Sequence, residues 1–169
     1  AAHALKARYL LHKLAVEPNV LSEVATSVQQ AIDNGFEGFT VTGFNGSTCD
    51  NPWSAYVFSR QYTAPSKTVS SLMEATDDPR LDYYLNALGK AYIPGDETIA
   101  KTVDDARVMK YQPTWYLFGS QPIHIMSKAE LYFIQAEVQL RSNVDATSAY
   151  QKAVEASVTE ILTWFGDET

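Results

Sequence analysis

Two glutamates in a largely apolar stretch, residues 126–141, are the first candidates for chemistry. Glu130 and Glu137 are seven residues apart, so on a helix turning by roughly 100° per residue their side chains differ by only about 20°. Paired carboxylates can act as acid and base, but Glu137 also stands four residues before Arg141, the order that favours a helical ion pair. Because an unpaired buried carboxylate is costly, we interpret this stripe as polar packing between helices. Glu130 is then bound either by amides at a neighbouring helix start or by Arg8.

Two pairs of adjacent acids offer a second kind of chemistry. Asp77-Asp78 and Asp104-Asp105 supply carboxylates of the type that glycoside hydrolases use. Adjacent acids in turns are more often caps of helices, and Asp78 followed by Pro79 is typical of a helix start. Glycoside hydrolysis is therefore the least favoured of the functions considered.

Histidine and cysteine give little support for a metal site or a nucleophile. His3 and His12 point to opposite sides of their predicted helix, and His124 has no acidic or histidine partner at ligand spacing. The single cysteine, Cys49, lies in no catalytic signature, and the sequence has no nucleophile elbow and no glycine-rich phosphate loop. We expect a protein without catalytic residues, metal or cofactor.

Aromatic residues are concentrated in the middle of the chain. Residues 36–125 hold 14 of the 20 aromatic side chains, together with most of the glycines. Exposed Trp and Tyr rings stack on the apolar faces of sugar rings, while Asn and Arg bind sugar hydroxyls. Most of these rings are expected to lie in the core beneath long loops. The remaining rings are expected to bind an oligosaccharide. The candidates are Trp53 and Tyr56 as stacking platforms, Asn51 and Arg60 as hydroxyl binders, and Trp115 and Tyr116 as a second group.

Composition limits the classes of partner. The net charge of -7 and the pI near 4.9 argue against binding to nucleic acid or to an anionic membrane surface, which need clustered Lys and Arg. The sequence has no apolar run of the roughly 18 residues that a membrane span needs. With 46% hydrophobic residues in 169, the chain is expected to fold around a core as one domain.

The elements that must position these residues are mainly helical. Apolar residues recur at helical spacing in 1–15 and 19–34, which predicts a helical hairpin over 1–35 ending at Asn34-Gly35. A second hairpin is predicted over 126–165, with Asp145 as the cap of its last helix. Lys128, Gln135 and Gln139 are expected to face solvent. The buried face of the last helix is expected to include Ala149, Tyr150, Ala153 and Trp164.

Between the hairpins, residues 36–125 are predicted to form a loop-rich insert. A short helix is expected near 68–75 and another after Asp78. Small and large residues alternate on the helix faces, as in tetratricopeptide-like repeats, but no tandem 34-residue period is present. The expected fold is therefore mainly α, with tetratricopeptide-like hairpins and one long irregular insert.

Several stretches together resemble one protein family. "PIHIMSKAELYFIQAEVQLR" followed by "AYQKAVEASVTEIL" is similar to the closing helical hairpin of the SusD/RagB-like outer-membrane nutrient-binding lipoproteins of Bacteroidetes. "NPWSAY", "SSLMEATDDPRLDYYL" and the opening "AAHALKARYLLHKLA" are similar to other family segments and occur in the family's order. One departure is Arg141-Ser142, where the family usually has Arg-Gly. The chain opens without Met on a helical pattern and ends just after another, which indicates a fragment of a longer protein lacking both ends.

The resemblance implies a non-catalytic, cell-surface protein of the outer membrane. Such a protein would bind an oligosaccharide and deliver it to a TonB-dependent, SusC-like transporter, and a lipid anchor outside this chain would hold it to the membrane. The insert would carry the ligand site and the helices would face the transporter. Two alternatives stay open: a peptide-binding member of the same family, and a helical scaffold for protein interaction whose aromatic residues are core.

Overall fold

The computed structural model describes residues 1–55, 67–81 and 119–165. The chain divides into two compact units, a helical unit of residues 1–41 with 124–169 and a second unit of residues 42–123. The fold is mainly helical, as the sequence predicts. In chain order the elements are α1 (Ala2–Lys13), a 3-10 turn (Pro18–Val20), α2 (Leu21–Asp33), β1 (Gly38–Val41), α3 (Lys67–Ala75), β2 (Ile123–Ser127), α4 (Lys128–Arg141) and α5 (Thr147–Phe165).

The predicted helical hairpins are both present in the helical unit, where α1 packs on α2 and α4 packs on α5. Ala4 and Ala7 of α1 are completely buried, because methyl side chains let the neighbouring helix approach closely. Val24 and Val28 of α2 fill the same core. The strands β1 and β2 pair as a two-stranded sheet. Among the described residues, no helix has the length and apolar character needed to cross a membrane.

Helix α4 is the central element of this unit, since it contacts α1 and α2 as well as α5. Leu131, Ile134 and Val138 belong to the core that α1 and α2 also line. Phe133 instead meets Tyr150 of α5, with ring centroids 5.9 Å apart in an edge-to-face arrangement.

The predicted solvent face of α4 is confirmed only in part, because α4 is covered on two sides. Lys128, Gln135 and Gln139 are only partly exposed, whereas Leu140 is 70% exposed. A helix covered on two sides has no single polar face, so its helical wheel does not indicate which side meets water. In α5, Ala149 and Ala153 are buried as predicted, but Tyr150 is exposed. The side chain of Trp164 lies outside the described residues.

Both α2 and α4 end with a residue in the left-handed conformation. Gly35 has φ 66°, and the N–H of Phe36 then donates to the carbonyl of Ala31 at 3.1 Å. Asn143 has φ 55°, and the N–H of Val144 donates to the carbonyl of Gln139 at 2.8 Å. This is the Schellman pattern, which Gly and Asn tolerate best. Asn143 therefore ends a helix that has no glycine after Arg141.

The starts of α4 and α5 are capped by side chains. Ser127 Oγ accepts the N–H of Glu130 at 3.0 Å, which is a regular N-cap bond. Asp145 Oδ1 accepts the N–H of Thr147 at 2.9 Å and its hydroxyl at 2.7 Å. The predicted cap at Asp145 is therefore confirmed. These bonds from Thr147 lower the pKa of Asp145, because they stabilise the ionised carboxylate.

The partner of Glu130 is Arg8, one of the two alternatives that the sequence leaves open. Arg8 Nε and Nη2 donate to the two carboxylate oxygens of Glu130, both at 2.5 Å. Arg8 Nη2 also donates to the carbonyl of Ile125 at 2.6 Å. One guanidinium thus joins α1, β2 and the first turn of α4, in the two-pronged geometry that suits arginine and a carboxylate. The hydrogen bond to Glu130 raises the pKa of Arg8.

The expected Glu137–Arg141 pair is also present, with Arg141 Nε donating to Glu137 Oε1 at 2.8 Å. Its side chains are 40% and 54% exposed, against 37% for Glu130 and 22% for Arg8. The two glutamates are therefore about equally exposed, and the pairs differ in their arginines, since Arg8 is more buried than Arg141.

We predict that Glu130→Gln lowers the free energy of unfolding by about 1–2 kcal/mol, because Arg8 then keeps a half-buried charge without its carboxylate. Glu137→Gln, seven residues away on the same helix, is the matched control and should change it by less than about 0.5 kcal/mol. Urea denaturation of both variants measures the difference. Equal losses in the two variants would contradict a special role for the Arg8 contact.

Candidate functional site

The segment that holds Trp53 is short and tightly anchored. Residues 52–55 are helical, and Asn51 caps this turn because its Oδ1 accepts the N–H of Trp53 at 2.8 Å. Asn51 is only 6% exposed, whereas Trp53 is 56% exposed. The cap therefore fixes the backbone from which an indole ring projects toward solvent.

Asn51 also ties this turn to a distant part of the second unit. Its Nδ2 donates to the carbonyl of Gln121 at 2.8 Å, and its backbone N–H donates to the carbonyl of Gly119 at 2.7 Å. Both the oxygen and the nitrogen of the Asn51 side chain thus bond to backbone, so this buried amide is satisfied. We call this set of bonds the Asn51 clamp.

The preceding loop is held in the same way. Asn45 Oδ1 accepts the N–H groups of Ser47, Thr48 and Cys49, each at 3.0 Å. A Cβ atom placed on Gly119 would lie 3.0 Å from the Cα of Gly46, so glycine allows the two backbones to approach this closely. The loop that precedes Trp53 is therefore held by hydrogen bonds from its backbone N–H groups to the Asn45 side chain.

The structure describes two of the six predicted site residues. Asn51 and Trp53 lie together, Asn51 buried in the clamp and Trp53 exposed beside it. The direct contact of Asn51 with a sugar hydroxyl stays a prediction, and the contacts seen give it a positioning role. Tyr56, Arg60, Trp115 and Tyr116 lie outside the described residues.

The predicted acid pair at Asp77-Asp78 forms a cap. Asp78 Oδ1 accepts the N–H of Arg80 at 2.9 Å and its Nε at 2.8 Å. These bonds hold the pKa of Asp78 below its ordinary value, with the guanidinium as the largest cause. A carboxylate that stays ionised does not serve as the proton donor of glycoside hydrolysis. Asp104-Asp105 and the helix expected after Asp78 beyond Leu81 lie outside the described residues.

His124 has an acidic partner that its sequence neighbourhood does not reveal. Its Nδ1 lies 3.2 Å from Oε1 of Glu160, so β2 and α5 are joined by this pair. Burial raises the pKa of Glu160, and the nearby His124 opposes that effect. In the part of the chain that the structure describes, no three His, Cys, Asp or Glu side chains are grouped to hold a metal ion.

One family model matches nearly the whole chain, and two solved structures share its fold. The family model SusD-like_2, described as "Starch-binding associating with outer membrane", matches residues 2–169. A solved chitin-binding protein is similar to this chain with a TM-score of 0.64 and 18% identity over 97% of it. A SusD homologue from Bacteroides vulgatus ATCC 8482 is similar with a TM-score of 0.64 and 20% identity over 99% of it.

At these identities the two solved structures show a shared fold alone. The chain spans 40% of the length of the chitin-binding protein and 35% of that of the SusD homologue. No curated protein matches the sequence.

We predict that Asn51→Ala speeds hydrogen exchange at the Trp53 and Ser54 amides by about fivefold, because a lost N-cap costs roughly 1 kcal/mol. Asn51→Asp keeps the oxygen that accepts the Trp53 N–H and removes the amide that donates to Gln121. It therefore separates the effect of the cap from the effect of the bond to Gln121. Its Trp53 amide should exchange nearly as slowly as in the wild type. Unchanged exchange in Asn51→Ala would contradict the cap.

We predict that the Asp78 carboxyl titrates below its ordinary value of about 3.9, and that Arg80→Ala moves its midpoint upward. The sign follows from the lowered pKa: the stabilisation is present above the ordinary value and is lost as the pH falls through the folded value. Carboxyl carbon shifts in an NMR titration measure the midpoint. Arg80→Lys keeps the positive charge without the two-pronged guanidinium contact, so it should give an intermediate titration midpoint for Asp78. Equal midpoints in Arg80→Ala and wild type would refute the pairing of Asp78 with Arg80.

Proposed function

Because the chain belongs to the SusD-like family, described as starch-binding proteins associating with the outer membrane, we propose that it is a non-catalytic glycan-binding protein. The observation that carries this proposal is the exposed indole of Trp53 on an anchored turn. Stacking on a sugar ring needs an aromatic face that is open to solvent and already oriented, since ordering a mobile ring on binding would cost affinity.

The Asn51 clamp holds the backbone from which the indole projects. It bonds the turn of Trp53 to residues 119 and 121 without using any other side chain. Tyr56 and Arg60 follow Trp53 within seven residues, and they are proposed as a further platform and a hydroxyl binder. Trp115 and Tyr116, shortly before Gly119, are proposed as a second group of ligand contacts.

The ligand class is proposed from the family and its relatives. The family description names starch, and one structural relative is named a chitin-binding protein. Both polymers present pyranose rings with an apolar face, which suits the indole of Trp53. The proposed ligand is therefore an oligosaccharide with little or no charge. An acidic chain of net charge -7 does not disfavour such a ligand.

The proposed place of action is the surface of the outer membrane, with a lipid anchor in the full-length protein. The proposed partner is a TonB-dependent, SusC-like transporter that takes up the bound glycan. The helical unit supports a protein contact, because Leu140 of α4, Val144 of the following turn and Tyr150 of α5 are exposed. Exposed apolar side chains can take part in interaction surfaces.

We predict that Trp53→Ala weakens binding of maltoheptaose or chitohexaose by about tenfold or more, since an aromatic contact of this size is worth about 1–3 kcal/mol. Isothermal titration of the purified chain with each glycan measures the loss. Trp53→Phe keeps a stacking ring and should recover part of the affinity.

Tyr9→Ala is the matched control, because Tyr9 is an exposed aromatic residue of α1 in the other unit. Its affinity for either glycan should equal that of the wild type. If Trp53→Ala binds a glycan as tightly as the wild type, Trp53 is not in the site. If wild type binds neither glycan and a partner protein co-purifies with the chain, the scaffold alternative is favoured.

A further inference from the structure

The helical unit contains a cleft of about 510 Å³ beside the start of α4. One wall comes from α5, whose residues between Lys152 and Thr163 recur at the spacing of a single helix face. The opposite wall includes Lys128 and Tyr132 of α4 and His124 of β2. The volume lies within the range of small-molecule sites in proteins, roughly 300–1,000 Å³.

Several ionisable groups of this cleft are held by partners within it. Lys128 Nζ donates to both carboxylate oxygens of Glu37, at 2.9 and 2.7 Å. Glu160 stands against His124 at 3.2 Å. The exposed Lys152 and Glu155 carry opposite charges, so neither an anion nor a cation is favoured, and the cleft suits a neutral ligand better.

The remaining groups of the wall suit a ligand rich in hydroxyls. Thr159 and Thr163 both donate and accept hydrogen bonds, and Lys152 and Glu155 add one exposed donor group and one exposed acceptor group. The ring of Tyr132 and the methyl of Ala156 provide apolar surface among them. A sugar has the same combination, with hydroxyls on its edge and an apolar C–H face.

We propose that this cleft is a second oligosaccharide site, formed by the helical unit and independent of Trp53. It goes beyond the proposed function, since all its lining residues lie outside the unit that contains Trp53.

The test is NMR mapping on the 169-residue chain with maltoheptaose and chitohexaose as probes. Either glycan should shift the amide signals of Lys128, Ala156 and Thr159, and these shifts should persist in Trp53→Ala. Thr159→Trp places a large side chain in the cleft and should weaken the binding seen there at least tenfold. Gln151→Trp adds the same side chain at an exposed α5 position that does not line the cleft, and it should leave the shifts unchanged.

Glu155→Trp is a second blocking variant, because Glu155 lines the cleft one helical turn before Thr159. It replaces Thr159→Trp in the test if that variant fails to fold. The proposal is overturned if neither glycan shifts the cleft amides, if the shifts vanish in Trp53→Ala, or if they persist in a folded blocking variant. Shifts confined to the cleft in the wild type would support this site and refute the Trp53 platform. Loss of the cleft site alone leaves the proposed function at Trp53 standing.

Discussion

The side chain of Arg8 joins parts of the helical unit that lie far apart in the sequence. Its bonds to Ile125 and Glu130 span 117 and 122 residues, and they bring β2 and the start of α4 onto the first hairpin. Glu130 lies in the first turn of α4 beside the apolar residues that α1 and α2 cover, so its carboxylate is stabilised by a cation when α4 packs. The cost of leaving that charge unpaired makes the docking of α4 specific, while the hydrophobic core supplies the larger driving force. The cleft proposed as a sugar site begins at this same helix start.

The same requirement, that buried polar groups be paired, shapes the loop around Trp53. Asn51 is buried with one acceptor and two donors, and a buried amide left unbonded would cost about 1–3 kcal/mol. It bonds to backbone at positions 53 and 121, which an apolar residue could not do. The backbone that carries an exposed indole is thereby anchored by a buried amide, which need not contact the ligand.

These two arrangements connect the fold with the proposed function. Glycan recognition by stacking depends on a surface that is ordered before the ligand arrives, because weak contacts leave little free energy for ordering loops. The helical unit supplies order through packed helices, and the second unit supplies it through the Asn51 clamp. Family membership and the exposed Trp53 support one site, and the balanced charges of the α4–α5 cleft support another.

The sequence alone determined the features that depend on residues within about four positions of each other. Helical periodicity predicted both hairpins, the stop at Gly35, the cap at Asp145 and the Glu137–Arg141 pair, because helix geometry fixes these contacts wherever the helix lies. The ordered motifs also indicated the family. Tertiary structure decided the choice of Arg8 for Glu130, the pairing of His124 with Glu160, and the burial of Asn51 beside Gln121. It also decided which side of α4 and α5 meets water, as Gln135 and Tyr150 show, because that depends on which helices cover each face and not on the residues of the helix itself.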